Sequence, residues 1–217
     1  MRLPAWLAVP EDSHLVIVWI FTRGSQRMTD RHSYTTITDW QQLDPATGDA
    51  IRAFWEREHA NVSGDEATRR LDQVVAHVVD EHGHLVAVAT VAQKVLPRLG
   101  QPMYYYRCFV GQAWRSSKLV RPLLRHTQKV LEKYARANDY PCIGILLELE
   151  NEGFADTLRW AHWPGVDYSY IGVSPRGLDL RVRYFRGALL KTPAQMARMQ
   201  NGAAVGVKTP KATILQR

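Results

Sequence analysis

The sequence predicts a single α+β domain built on a mostly antiparallel sheet. Its 217 residues are enough for one well-buried core with terminal extensions. A hydrophobic fraction of 46% and a charged fraction of 23% are typical of an ordinary globular protein. Short runs rich in β-branched and aromatic residues share the chain with amphipathic helical patterns, so strands and helices are expected in one fold.

The first half of the chain combines strand patterns with two helices. The strands are predicted from alternating or continuous apolar runs at 33–38, 73–80, 85–96 and 103–110. After the Asp44-Pro45 interruption, Ile51, Phe54 and Trp55 recur at helical spacing and predict an amphipathic helix. Ser63 and Glu66 have the spacing of a capping box, which predicts a second short helix at about 64–72. The runs on either side of residues 81–84 predict a β-hairpin.

The second half begins with a change of period after Val110. An apolar stripe predicts a long helix at about 118–137, and the continuous apolar run 142–149 predicts a central strand buried on both faces. A short helix is expected at 151–160. The runs 167–173 and 178–185 predict a last hairpin. Its second strand alternates between two predicted faces, with Leu178, Leu180, Val182 and Tyr184 on one and Asp179, Arg181 and Arg183 on the other.

The predicted domain spans residues 33–186, with an extension on each side. The N-terminal extension, 1–32, contains a strand pattern at 14–21, whose edge could pair with a second copy in a homodimer. The C-terminal tail, 187–217, is basic and has one helical pattern around Pro193 to Met199. We expect this tail to be mobile or to wrap a neighbour.

Charge and composition narrow the partners and the compartment. A formal net charge of +7 favours anionic partners, and nucleic acid could be contacted through the basic surface. The longest apolar run is too short to span a membrane and no secretory signal is apparent, so a cytoplasmic protein without membrane contact is expected. Cys108 and Cys142 are interpreted as buried free thiols. The histidines His77, His82 and His84 lack the additional ligands of a metal site, and no metal is expected.

The order of the elements between 33 and 186 resembles that of the GCN5-related N-acetyltransferases. Val110 and Arg115 match the spacing of the family's pyrophosphate loop, and Leu123 and Leu124 fall at the positions of its helix. The resemblance implies a mixed, mostly antiparallel twisted sheet flanked by helices on both faces. It also implies an N-acyltransferase that moves an acyl group, most simply acetyl, from acetyl-CoA or another acyl-CoA to an amine.

The resemblance assigns the site of the acyl donor to the end of the strand predicted at 103–110 and the start of the long helix predicted at about 118–137. Backbone amides at a helix start, together with the helix dipole, can bind the diphosphate of coenzyme A. The family's two glycine positions are occupied here by Lys118 and Val120, so Val120 is expected to add bulk toward the phosphates. The charge of Lys118 and the hydroxyl groups of Ser116 and Ser117 could compensate for the missing glycines. The candidate donor-binding residues are Phe109, Val110, Arg115, Ser116, Ser117, Lys118, Leu119 and Val120.

Candidate catalytic residues follow from the needs of acyl transfer to an amine. Glu148 and Glu150, near the end of the buried strand, are candidate bases acting directly or through water. The tyrosine that often acts as general acid in the family is missing from the neighbourhood of Arg159 and Trp160. Tyr168 or His162 could take its role, or the role is absent. Tyr104 and Tyr106 could line the acceptor pocket, with aromatic core packing as the alternative.

Two classes of function remain open on the sequence alone. In the first, the chain is an acyltransferase that uses acyl-CoA, or a related donor preferred by its altered loop. In the second, the fold is catalytically degenerate and binds an anionic partner such as nucleic acid, as the missing glycines, the missing tyrosine and the charge of +7 suggest. The acceptor is identified only as an amine.

Overall fold

The structure is a computed structural model that describes residues 33–62, 64–115, 119–149 and 159–203. Within these ranges a single mixed sheet runs in the order β1-β2-β3-β4-β5-β8-β7-β6. Its strands are β1 (Tyr34–Thr38), β2 (Val74–Asp80), β3 (Leu85–Leu96), β4 (Gln101–Val110), β5 (Gly144–Leu149), β6 (His162–Trp163), β7 (Tyr168–Val173) and β8 (Asp179–Tyr184). The helices are α1 (Pro45–Arg57), α2 (Gly64–Leu71), α3 (Val120–Ala137) and α4 (Pro193–Ala203).

The sheet is antiparallel everywhere except between its two central strands. The parallel pairing of β4 with β5 includes only two residue pairs, Tyr104 with Ile145 and Tyr105 with Leu146. β4 continues for five more residues to Val110, and β5 continues to Leu149, without further pairing between them. The carboxyl ends of these two strands are therefore unpaired with each other within the described residues, and we call the region between them the opening. Strands β5 and β8 close the other side with a continuous antiparallel ladder.

Helices cover both faces of the sheet, which confirms the predicted fold class. The strand period of two sends alternate residues of β4 to opposite faces. Tyr104, Tyr106, Cys108 and Val110 belong to the apolar cluster that includes the buried residues of α3. Phe109 lies in the cluster with Phe54 and Trp55 of α1. We call these two sides the α3 face and the α1 face. A smaller apolar cluster on β4, β5 and β8 consists of Met103, Ile143, Leu146, Leu180 and Val182.

Local sequence signals explain where the first helix begins and how it docks. The Asp44 carboxylate accepts hydrogen bonds from the backbone N–H of Thr47 at 2.9 Å and from its hydroxyl at 2.6 Å. Pro45 occupies the first turn, where a missing amide donor costs little. The buried side chains of Phe54 and Trp55 then face the sheet. This docking brings the end of α1 close to the end of β4.

Most predicted elements are confirmed to within a few residues, and the region after β5 departs from the prediction. Arg159 and Trp160 are not helical, so the helix expected at 151–160 cannot extend over them; residues 150–158 lie outside the described part. The carbonyl of Trp160 accepts a hydrogen bond from Nη1 of Arg181 at 2.8 Å. The short strand β6, which pairs with β7, was not predicted. The strand pattern at 14–21 also lies outside the described residues.

The last hairpin differs from the expected pattern of buried and exposed sides. Arg181 was assigned to the polar side of β8, yet it is one of the largest fully buried side chains, while Tyr184 is about half exposed. Both edges of β8 are paired, because β8 lies between β5 and β7 in the sheet. The Arg181 guanidinium lies 4.0 Å from the centroid of the Trp163 ring, so an aromatic face compensates part of its burial.

The beginning of the predicted tail is attached to the domain. The backbone N–H of Lys191 donates to Oε1 of Gln101 at 2.7 Å, and its ammonium group donates to the carbonyl of Asp139 at 2.8 Å. Helix α4 follows, as the helical pattern at Pro193 indicated. Ordered contacts therefore continue beyond Arg186, and residues 204–217 lie outside the described part of the chain.

Both cysteines are buried free thiols, as predicted. Burial raises the pKa of the Cys108 thiol to about 12, so Cys108 remains protonated and is a weak nucleophile at neutral pH. His77 is buried and forms a 2.7 Å contact with Asp39, whereas His82 and His84 lie on the exposed turn between β2 and β3. None of the helices in the described ranges combines the length and apolarity needed to cross a membrane.

Candidate active site

The candidate active site is the opening between β4 and β5. Val110 is the last residue of β4, and its carbonyl accepts a hydrogen bond from Nε of Arg115 at 3.3 Å. The Arg115 guanidinium also lies 6.0 Å from the centroid of the Phe109 ring. Val110 and Arg115, two of the residues predicted to bind the acyl donor, are thus in direct contact at the mouth of the opening. Ser116, Ser117 and Lys118 lie outside the described residues.

A carboxylate from α1's C-terminal end fixes the course of the donor loop. The backbone N–H of Gln112 donates to Oε2 of Glu58 at 2.8 Å. The N–H of Gly111 donates to the carbonyl of Val86 at 2.9 Å. A Cβ at Gly111 would approach the Glu58 carboxyl group to 3.3 Å, so glycine allows this close contact. Sequence reasoning missed Glu58, because no local spacing relates it to a loop more than fifty residues later.

The first turn of α3 is suited to an anion. Among the described residues it contains no acidic side chain, and Leu119 at the N-cap makes no side-chain hydrogen bond to the first amides. Amides at the positive end of an 18-residue helix favour an anion. The side chains of Leu119 and Val120 are buried in the core. The expectation that Val120 adds bulk toward the phosphates is therefore wrong, because its side chain packs inward.

The three candidate tyrosines lie inside the protein, on the α3 face. Tyr104 packs edge-on against Trp40, with ring centroids 5.9 Å apart, and the side chains of Tyr106 and Tyr168 are almost completely buried. Burial raises the pKa of all three hydroxyl groups, so each holds its proton strongly. The structure thus shows the core-packing alternative for Tyr104 and Tyr106. In the described part of the chain, the Tyr168 hydroxyl is buried away from solvent.

Glu148 lies on the opposite side, the α1 face, within the opening. The hydroxyl of Tyr105 donates to its Oε2 at 2.6 Å, and Nε of Arg176 lies 3.5 Å from its Oε1. Only 11% of the Glu148 side chain is exposed. Tyr105 was not among the candidate residues. The alternation of β4 could have identified it, because Tyr104 and Tyr106 point to the packed α3 face and Tyr105 must point the other way.

Two further cations surround the Tyr105 ring on this face. The ammonium group of Lys94 lies 4.3 Å from the ring centroid, and the Arg107 guanidinium lies 5.5 Å from it. Nη1 of Arg107 is also 3.8 Å from Oε1 of Glu66 on α2. The side chains of Lys94, Tyr105, Arg107, Glu148 and Arg176 form a polar group that we call the acceptor cluster.

The remaining candidates are not brought to the acceptor cluster. His162 lies on β6, at the edge of the described sheet, and β8 and β7 separate it from β5. Three strand spacings place it roughly 14 Å from Glu148's strand. Its ring nitrogen Nδ1 lies 3.1 Å from the Ser169 hydroxyl. Glu150 lies outside the described residues.

Comparisons with known proteins find likeness in structure alone. No protein-family model matches the sequence, and no curated protein matches it. A solved ribosomal-protein-S5-alanine acetyltransferase from Vibrio fischeri is 10% identical over 72% of this chain and 95% of its own, with a TM-score of 0.48. A GNAT-family acetyltransferase from Listeria monocytogenes is 14% identical over 70% and 94% of the two chains, with a TM-score of 0.45.

The Salmonella typhimurium protein yncA, solved with its cofactor acetyl-CoA, is 16% identical over 74% and 99% of the two chains, with a TM-score of 0.45. Likeness at this level does not extend to substrates. The geometry of this chain is nevertheless specific. Its mixed, mostly antiparallel sheet is open between β4 and β5 and has helices on both faces. This is the sheet arrangement that the resemblance to the GCN5-related N-acetyltransferases implies.

Proposed function

We propose that this chain is an acyl-CoA-dependent N-acyltransferase that transfers an acyl group, most simply acetyl, to an amine. The observation that carries the proposal is the opening between β4 and β5. One end leads to Arg115 and the start of α3, whose first turn has no acidic side chain in the described residues, and the α1 face of the same opening holds Glu148. An anion-binding position and a carboxylate therefore lie on either side of one unpaired strand end.

The donor occupies the loop side of the opening. The first-turn amides of α3 and the guanidinium of Arg115 bind the diphosphate, aided by Ser116, Ser117 and Lys118 as the sequence proposes. The β5 side of β4 has no strand partner beyond Tyr105 in the described ladder. The backbone of Phe109 and Val110 can then supply hydrogen bonds to the thioester carbonyl, where negative charge develops.

The acceptor approaches from the α1 face. Its nitrogen attacks the thioester carbon, the carbon–sulfur bond breaks, and the electron pair leaves on the sulfur of coenzyme A. Glu148 accepts the proton that the amine loses, directly or through a water molecule. The proposal assigns no tyrosine as general acid. A thiol's ordinary pKa near 8.5 makes its thiolate a competent leaving group that can be protonated by water.

Donor binding is the first test of the proposal. Calorimetric titration of the full chain with acetyl-CoA and with free coenzyme A is expected to show micromolar binding. Arg115→Ala should weaken it about tenfold, because one charge-assisted contact to the diphosphate is lost. Lys118→Ala should add to that loss. The matched control is Arg198→Gln on α4, an exposed residue that also removes one positive charge.

The titration separates the candidate functions. Absence of heat and of a thermal shift with both ligands would contradict the acyl-CoA proposal and leave a different donor or a binding role. Unchanged affinity in Arg115→Ala, with binding intact, would instead place the diphosphate elsewhere. An equal loss of affinity in Arg198→Gln would show that the effect of Arg115→Ala comes from net charge alone.

A second candidate function, binding of an anionic partner such as nucleic acid, is favoured by the outer surface of α3. Arg125, Lys129, Lys133 and Arg136 are exposed at intervals of three or four residues along this helix. At 1.5 Å per residue they extend over roughly 16 Å. The groove beside them is also lined by Arg183 and Arg186. Glu132 is the main counter-charge, at 2.9 Å from Nη2 of Arg183.

Salt dependence tests this second function. If the α3 row binds phosphates, the affinity for labelled duplex DNA or single-stranded RNA should fall steeply with salt, with a log–log slope of about −3 for four contacts. Lys129→Gln should reduce the slope by about 1. Arg198→Gln serves again as the control. A flat salt dependence, measured by fluorescence anisotropy, would contradict nucleic-acid binding through α3.

A further inference from the structure

Among the described contacts of the acceptor cluster and α2, cations outnumber carboxylates. The carboxylates in these contacts are Glu66 and Glu148, and the cations around them are Arg69, Arg70, Lys94, Arg107 and Arg176. Such an excess is costly where side chains are partly shielded from water, because like charges repel more strongly there. A surplus of this kind at the mouth of an opening favours an anionic ligand.

Both carboxylates are already engaged by arginines. Glu66 accepts from Nη2 of Arg70 at 2.7 Å and from Nη2 of Arg69 at 2.9 Å, in addition to its longer contact with Arg107. The hydrogen bond from Arg70 lowers the pKa of Glu66, so this carboxylate stays ionised. Glu148 is held between Tyr105 and Arg176. Both carboxylates raise the pKa of Lys94, but burial and the positive charge of Arg107 have the larger, opposite effect.

Lys94 is the cation with the weakest compensation. In the described part of the chain, no carboxylate oxygen lies within ion-pair distance of its ammonium group, which rests over the Tyr105 ring. Partial burial, followed by the positive charge of Arg107, lowers the pKa of Lys94. An anion bound beside it would relieve both effects.

From this arrangement we infer that Lys94, Arg107 and Arg176 form an anion subsite beside Glu148, and that the acceptor is an amine carrying a carboxylate or a phosphate group. The inference deepens the proposed acyltransferase function and rests on it. The amine faces Glu148 at the hydroxyl end of Tyr105, and the anionic group faces Lys94 over the Tyr105 ring. The Tyr105 side chain thus sets the separation between the two functional groups of the acceptor.

The same charges explain how such an acceptor becomes a nucleophile. A simple amine arrives protonated at neutral pH, and three nearby cations repel it. An acceptor with its own anionic group is neutral overall if that group is a carboxylate and net negative if it is a phosphate, so it is not repelled. Once it is bound, the neighbouring cations lower the pKa of its ammonium group, so that the attacking free amine forms more readily. Glu148 then takes the proton.

Probe binding tests the subsite independently of catalysis. Two probes are titrated calorimetrically into the full chain. Glutarate represents a carboxylate on the acceptor, and inorganic phosphate represents a phosphate group. Saturable binding of at least one probe is expected, and Lys94→Gln should weaken it about tenfold. Lys94 reaches solvent although its ammonium group is partly shielded by the Tyr105 ring, so this variant is expected to fold, which a thermal melt verifies. Arg198→Gln should change the affinity less than twofold.

Matched amines test the acceptor class. Initial rates with acetyl-CoA are compared for 4-aminobutyrate against butylamine and for phosphoethanolamine against ethanolamine. The charged member of at least one pair should react at least tenfold faster by kcat/KM. Lys94→Gln should remove that preference by raising KM for the charged member of the pair, whereas Arg198→Gln should leave the preference intact.

The outcomes distinguish this inference from the proposed function. Equal rates within both pairs, together with no effect of Lys94→Gln on probe binding, would overturn the subsite while the acyltransferase stands. Probe binding that Lys94→Gln weakens, in a chain that neither binds acetyl-CoA nor acylates any amine, would support the anion subsite and remove the acyltransferase.

Discussion

Glu148→Gln is expected to lower kcat of amine acylation by a factor of about 10² to 10⁴, the range typical of a lost general base. The amide keeps the size of the carboxylate and still accepts from the Tyr105 hydroxyl, but it cannot take a proton from the amine. Because a larger fraction of the acceptor is already deprotonated at high pH, the deficit should shrink as the pH rises. Initial rates between pH 6 and pH 9 measure this.

Glu56→Gln is the matched control, since Glu56 is an exposed residue of α1 that loses the same charge outside the opening. Its rates should stay within twofold of the native protein. Acetyl-CoA affinity in Glu148→Gln should also be retained, because the carboxylate lies on the acceptor side. A kcat within threefold of the native value would remove Glu148 from the mechanism.

Gly144→Ala is expected to destabilise the fold by about 3 kcal/mol, near the upper end of the cost of overpacking. A Cβ at this first residue of β5 would lie 2.9 Å from the Cα of Tyr184 and would collide with the carbonyl oxygen of Arg183. These are backbone atoms of the adjacent strand β8 and cannot rotate away. Urea unfolding followed by circular dichroism measures the loss.

Gly48→Ala makes the same substitution at a second buried glycine and should have the opposite sign. Gly48 lies inside α1, where an added Cβ would meet only Leu71 Cδ1 at 3.6 Å and Leu43 Cδ2 at 3.9 Å. Alanine in a helix is favoured over glycine by up to about 1 kcal/mol. A Gly144→Ala variant as stable as the native protein would show that β5 and β8 can separate at this point.

The fold could be predicted from the sequence because most elements carry their own periodicity. β3 begins and ends at the predicted residues, Leu85 and Leu96, and α3 ends at the predicted Ala137. What could not be predicted depends on contacts remote in sequence. β6 has only two residues and is too short to show a strand pattern. The burial of Arg181 depends on Trp163, which reaches Arg181 only because β6 pairs with β7.

Contacts at the candidate site were easier to predict within one loop than between separate elements, and the donor-binding role of the loop stays a prediction. Val110 and Arg115 were identified by spacing within one loop, and they are in contact. Tyr105 was overlooked although strand alternation distinguishes it from its neighbours. Glu58 had no sequence signal, because the docking of α1 against the sheet alone places its carboxylate beside the N–H of Gln112.

The two-pair seam between β4 and β5 also bears on how the domain holds together. Backbone hydrogen bonds across the seam are few, so the two half-sheets are joined mainly by the shared apolar cluster, which includes Val75, Leu123 and Phe185. A ligand that lies along the unpaired end of β4 can form the backbone hydrogen bonds that β5 does not form there. Because such a ligand binds only the folded protein, its binding increases the free energy of unfolding.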